Sequence, residues 1–200
     1  DKITEIRSFT IDDIKSYYDD FGKNQSLAFH EATGSYVVQL DEKTRLLALN
    51  DDYGYERNGY TDETMEWISA QVKDAKKENQ YIFVMAHHPI MAASPLYGIF
   101  GKKDMIESAY ERACEFADMG VNLYFSGHSH MQKIDYVLSQ KGNLLYNIST
   151  SALVGYPPVY RKVTLQNNQA KVKSFVMKEA KGIDTSAKPL DDYLKHKFLG

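Results

Sequence analysis

Residues 81–89, YIFVMAHHP, and residues 121–130, VNLYFSGHSH, decide how this chain folds. YIFVMA at 81–86 is a short continuous apolar run, as expected of a strand buried on both faces, and it ends in His87, His88 and Pro89. VNLYFS at 121–126 has the same character and ends in Gly127, His128, Ser129 and His130. Between them, residues 103–119 set Ile106, Ala109, Tyr110, Ala113, Phe116 and Ala117 on one helical stripe, stopped by Gly120. Strand, helix and strand with short links predict a βαβ unit. Its strands are then parallel and its crossover right-handed.

Working towards the amino end, residues 62–78 carry Met65, Ile68, Val72 and Ala75 at spacings of three and four. Asp62 and Glu63 open this segment and Lys73, Lys76 and Lys77 close it, which suits a helix dipole at both ends. It predicts a helix lying on a sheet. SYVVQL at 35–40 and RLLALN at 45–50 read as strands joined by a DEKT turn. TIDDIKSYYDDF at 10–21 reads as a helix, with Asp12 and Asp13 in its first turn and Gly22 as its stop. Beyond the second histidine cluster come β segments KIDYVL at 133–138 and LLYNIS at 144–149. YRKVTL and AKVKSFV then form a hairpin around Asn167 and Asn168. The polar residues from Lys178 onward are expected to be poorly ordered or draped on the surface. The chain thus divides into a domain over 1–177 and a tail over 178–200.

The 200-residue length suits one domain with a real core. Charges of both signs are mixed along the chain to a net of −3, so no basic face marks it for nucleic acid or anionic membrane. Cys114 is the single cysteine, which excludes an intrachain disulfide; within a helical pattern it reads as a packed small residue. No apolar run approaches the ~20 residues that span a bilayer, and no signal-peptide pattern is read in these 200 residues. The chain starts at Asp1 rather than Met, so a processed or truncated product is expected. Compartment and oligomeric state are not legible.

Four of the six histidines lie in the two clusters, and both clusters follow neighbouring parallel strands. In open α/β sheets, ligands bind at that carboxyl edge. Pro89 is expected to hold His88 extended, and Gly127 to permit a tight backbone approach. His128 and His130, two apart in an extended segment, are expected on one side of the chain. Crowded imidazoles repel when protonated and bury donors that need partners. A metal ion resolves both problems.

A buried strand ending in His-His-Pro, a helix, then a strand ending in Gly-His-x-His resembles the last two signature blocks of the calcineurin-like metallophosphoesterases. LLALNDD at 46–52 and the 62–78 helix with Trp67 are similar to that family's run-in, so the resemblance covers residues 35–165. It implies a mixed α/β fold: half of a four-layer α-β-β-α sandwich, with a two-metal centre at the edges of two sheets. It assigns His87 and His128 to one ion and His130 to the other, and makes His88 a neighbour rather than a ligand. Iron, zinc and manganese are the metals implied, and a phosphate ester the substrate. Two cations roughly 3.5–4 Å apart clamp a phosphoryl group and lower the pKa of water towards ~7.

The family's earlier blocks, Asp-x-His, Gly-Asp and Gly-Asn-His, occur nowhere in the 200 residues. The resemblance therefore implies that this chain supplies part of a site. An amino-terminal half carrying the acid/base histidine is expected to pack against it, and the 200 residues alone are expected to be inactive and to hold metal poorly. Asp51, Asp52 and Asp104 read as solvated loop or helix-cap acids. The loop 90–101, IMAASPLYGIFG, leaves from the site edge, where Ser94 and Tyr97 either touch substrate or pack within the loop. Tyr156, Pro157 and Pro158 resemble a family loop near the site, while His30 and His196 read as surface or structural residues. Two alternatives stay open: a mononuclear zinc site of His87, His128 and His130 with water in the fourth position, and a catalytically incomplete binding domain.

Overall fold

Among the described residues, fourteen α-helices and strands follow one another: α1 (Ile11–Tyr17), β1 (Ser26–His30), β2 (Ser35–Asp41), β3 (Thr44–Ala48), α2 (Asp62–Lys77), β4 (Tyr81–Met85), α3 (Tyr97–Phe100), α4 (Ala109–Met119), β5 (Leu123–Ser126), β6 (Lys133–Leu138), β7 (Leu144–Ser149), β8 (Val159–Gln166), β9 (Gln169–Val176) and α5 (Leu190–Leu199). This computed structural model describes residues 10–17, 23–52, 58–92, 94–166, 169–182 and 189–199. The Asn167–Asn168 turn and the end of the 10–21 helix lie outside the described residues.

Strands β1 to β7 form one sheet in the order β1-β2-β3-β4-β5-β7-β6, and β8 pairs with β9 in a separate hairpin. β3, β4, β5 and β7 run parallel, with antiparallel neighbours β2 and β6 on either side. The βαβ spacing therefore holds: Val84 pairs with Tyr124 and Met85 with Phe125 in parallel register.

One face of the sheet carries the core. Val37, Leu47, Val84, Tyr124 and Leu145 are fully buried with Met65, Ile68, Val72 and Ala75 of α2 and Ala113, Phe116 and Ala117 of α4. Each large side chain so buried stabilises the fold by about 1.5–3 kcal/mol. Arg45 on β3 ties the sheet to α2: its Nη1 lies 2.7 Å from an Asp74 carboxylate oxygen, and its Nε donates to Gln80. The opposite face is covered in part. The β8–β9 hairpin leans over it across an open cleft of about 690 Å³, with Leu165 and Val172 on one wall and Leu123, Tyr146 and Ile148 on the other. Met85 on this face is half exposed. The apolar run of β4 is therefore buried on one face, not two.

One further expectation is corrected. The helix predicted over 103–119 begins only at Ala109, because Ser108 adopts the left-handed conformation at φ 52° and breaks the run. Ile106 still reaches the core, but from a loop; Tyr110 is exposed and hydrogen-bonds Cys114 one turn on. The polar tail holds α5, whose first residue, Leu190, is fully buried, and Lys195 places its ammonium 5.9 Å from the Tyr156 ring.

Candidate metal centre

The parallel strands bring their carboxyl ends to one edge, and backbone hydrogen bonds continue past each strand. Leu49 N–H donates to Met85 O at 2.9 Å, Ala86 N–H to Phe125 O at 3.0 Å, Gly127 N–H to His87 O at 3.0 Å and Thr150 N–H to Ser126 O at 3.0 Å. The segments leaving β3, β4, β5 and β7 are thereby held side by side.

Three imidazoles meet there. His87, His88 and His128 each offer a ring nitrogen, and these nitrogens lie within 4.8 Å of one another. His128 Nδ1 is 3.0 Å from His87 Nε2, and the ring centroids of His88 and His128 are 4.4 Å apart. His88 is buried, His128 half-buried and His87 exposed. The group thus contains His88, which the sequence places beside the site, and leaves out His130.

Backbone shape separates His130 from the others. His128 and His130 both adopt left-handed conformations, at φ 52° and 53°, and Ser129 N–H donates to Gly127 O at 2.6 Å. The segment curls, so the same-side rule of an extended chain does not apply to this pair. Each such residue costs roughly 1–2 kcal/mol, which the surrounding structure must offset. Gly127 itself is not tightly approached: a Cβ there would meet His87 O at 3.8 Å, an ordinary contact.

Asp51 is no solvated loop acid. It is 1% exposed; Oδ2 accepts the His88 backbone N–H at 2.6 Å and Oδ1 lies 3.0 Å from His88 Nδ1. The hydroxyls of Tyr60 and Tyr124 share a 2.8 Å hydrogen bond. Burial, above all, pushes both well above the usual tyrosine range, and the Asp51 charge adds to it. Asp104, read as a helix cap, has Oδ1 3.9 Å from His128 Nε2. Asp52 keeps the exposed loop role expected of it. The pairing of Asp51 with His88 was missed, although one signal was available. An acid immediately after β3 must lie at the same edge as the residues after β4.

The loop over 90–101 contains α3. Ser94 Oγ accepts the Tyr97 backbone N–H at 3.1 Å, and burial together with the Asp104 charge raises the Tyr97 pKa. His30 is structural: it is buried, its Nδ1 is 2.9 Å from Thr33 Oγ1, and its ring sits 5.1 Å from that of Trp67. His196 lies in the last turn of α5.

Burial lowers the His128 pKa, and the facing His88 and His87 rings reinforce the shift against the opposing Asp104 charge. Neutral imidazole is the form that ligates metal. The donor set fits a borderline divalent ion such as zinc or iron, which imidazole suits, better than magnesium or calcium, which want oxygen.

The model of the calcineurin-like phosphoesterase family matches residues 5–132. Among solved structures, the fold is similar to that of a dimetal phosphatase from Danio rerio. That likeness has a TM-score of 0.62 at 11% identity and covers 83% of this chain and 65% of that one. The chain therefore spans about two thirds of the length of its structural relative, and the likeness is one of fold.

Proposed function

Since this chain belongs to the calcineurin-like phosphoesterase family, we propose that it serves metal-dependent hydrolysis of phosphate esters at the edge where His87, His88 and His128 meet. The observation that carries this reading is the group of three imidazoles within 4.8 Å at the carboxyl end of parallel strands. His87, His88 and His128 would hold one ion; His130, exposed and outside that group, is left as a ligand for a second. A bound cation supplies a Lewis acid for a phosphoryl oxygen and makes hydroxide available near neutral pH.

The chain's own groups prepare the site. Asp104 sets negative charge beside His128 and so offsets part of the charge gathered there. Tyr97, with its pKa raised, keeps its proton at neutral pH and is a candidate donor to an ester oxygen. Ser94 is held by its bond from Tyr97 N–H and orients that loop rather than the substrate.

Hydrolysis of an aryl phosphate monoester and diester, with zinc or manganese added, tests the reading. In the full-length protein, where the expected amino-terminal half completes the site, His128→Ala should abolish metal-dependent turnover while leaving the circular dichroism spectrum unchanged. Turnover surviving in that variant would sink the proposal. A mononuclear version, with His88 in the place that the sequence reading gave to His130, has one observation in its favour, the three imidazoles in a single group. Calorimetric stoichiometry separates one ion from two.

A further inference from the structure

Averaged over the whole chain the charges are mixed, but the last third sorts them and builds a basic face that the average hides. No Asp or Glu occurs between Asp135 and Glu179, whereas Lys141, Arg161, Lys162, Lys171, Lys173 and Lys178 all fall there. Four of these six lie on the β8–β9 hairpin, beyond residues 5–132 that match the family. Strand alternation then separates them. Arg161, Val163 and Leu165 are half-buried, and Tyr160, Lys162 and Thr164 between them are exposed. Directly opposite those three stand Phe175, Lys173 and Lys171, also exposed. The outer face of the ribbon is therefore three lysines beside a Tyr160–Phe175 pair, whose rings stack at 5.5 Å and 20°.

Like charges placed directly opposite destabilise a strand pair, and Lys162 faces Lys173 with no carboxylate on either strand. None of the three lysines has an ion-pair partner among the described residues. An anion laid across the ribbon turns that repulsion into attraction. The ribbon is also aimed. Its aromatic end is held at the metal edge: Gln132, two residues after His130, donates its side-chain amide to Ser174 Oγ at 2.9 Å, and Arg161 donates to Ser149 O at 2.8 Å. Its other end, at Gln166 and Gln169, lines the cleft with Lys43, Asn79 and Asn122, which stand just before β3, β4 and β5. The lysines thus run along the sheet and lead, through the aromatic pair, to the edge that carries the histidines.

We propose that this outer face binds a single-stranded nucleic acid: the three lysines take its phosphates, and the Tyr160 and Phe175 rings stack on its bases. The aromatic pair favours a single strand over a duplex, whose bases are already stacked on one another. A membrane surface is the poorer match, because Gln166 and Gln169 at the free end are polar and offer nothing to insert. Use of the bound strand as the phosphate ester rests on the hydrolytic reading above; binding itself does not.

Fluorescence anisotropy of a labelled oligothymidylate about twelve nucleotides long, titrated with the full-length protein in chelator, tests the surface without cleavage. The plot of log affinity against log salt should fall with a slope of about −2, as expected of three phosphates on a single strand. Lys162→Gln with Lys173→Gln should lower affinity more than about tenfold at ~0.1 M salt and bring the slope near −0.7, with thermal stability unchanged or higher. Tyr160→Ala with Phe175→Ala should cost about tenfold and keep the slope. Should the alanine pair unfold the hairpin, the lysine pair and the salt slope decide. No binding at low salt, binding that the variants leave intact, equal affinity for a duplex, or capture by phosphatidylserine vesicles in place of the oligonucleotide overturns the proposal. A bound oligonucleotide that stays uncleaved when zinc or manganese is restored supports the surface and removes the strand as a substrate.

Discussion

Single residues show how far local chemistry reaches here. Arg45 is nearly buried, and its carboxylate partner Asp74 is more than half exposed. The hydrogen bond from Arg45 holds the Asp74 carboxyl below its ordinary range against an opposing burial penalty, and the Arg45 and Lys77 charges assist. A depressed carboxylate stabilises the fold above its unfolded pKa of about 3.9, and that contribution fades as pH falls through the lower folded value. Asp74→Asn should therefore lower stability at neutral pH and flatten the acid limb below about pH 4. Urea unfolding across that range measures both. An unchanged acid limb would mean that the pair contributes nothing. His88 teaches the complementary lesson: next to Pro89 its backbone is legible from sequence, but its partner Asp51 is 37 positions away.

At the scale of elements, helix α2 is where periodicity, capping and dipole agree. Thr61 Oγ1 accepts the Thr64 backbone N–H at 3.1 Å, Asp62 and Glu63 follow, and Lys76 and Lys77 close the last turn. Thr61→Ala should cost about 1 kcal/mol of folding stability, the ordinary value of such a cap. Thermal or urea unfolding checks it; a neutral result would transfer the role to the neighbouring charges. Helix α4 shows the same reasoning failing at one end. Its apolar stripe continues through Ile106, but the stripe crosses a backbone break at Ser108 that periodicity does not register. Where it ends, Gly120 at φ 93° supplies the left-handed residue expected at a helix terminus.

The whole molecule is two-sided. Leu145 faces the helices and is fully buried, whereas Leu138 on the neighbouring strand β6 is 57% exposed. Leu145→Ala should cost about 2–5 kcal/mol, while Leu138→Ala should stay within about 0.5 kcal/mol of neutral. Denaturant unfolding of the pair tests whether the helix-covered face alone holds the core. Equal costs would show that the second face is covered in solution. Tyr136 on β6 is exposed in the same way, whereas Ile134, also half exposed, lines the cleft walled by the β8–β9 hairpin.

Composition and spacing alone determined the parallel strand pair, its crossover helix and the edge at which both histidine clusters emerge. Those follow from local periodicity and from the handedness of the chain. The tail's α5 was hidden in a polar segment, and its first residue, Leu190, is fully buried. The membership of the metal group was hidden too. Which imidazoles converge depends on φ at His128 and His130 and on a carboxylate arriving from β3. Side-chain direction at a strand end is set by backbone turns and by partners remote in sequence, and only the assembled sheet edge supplies both.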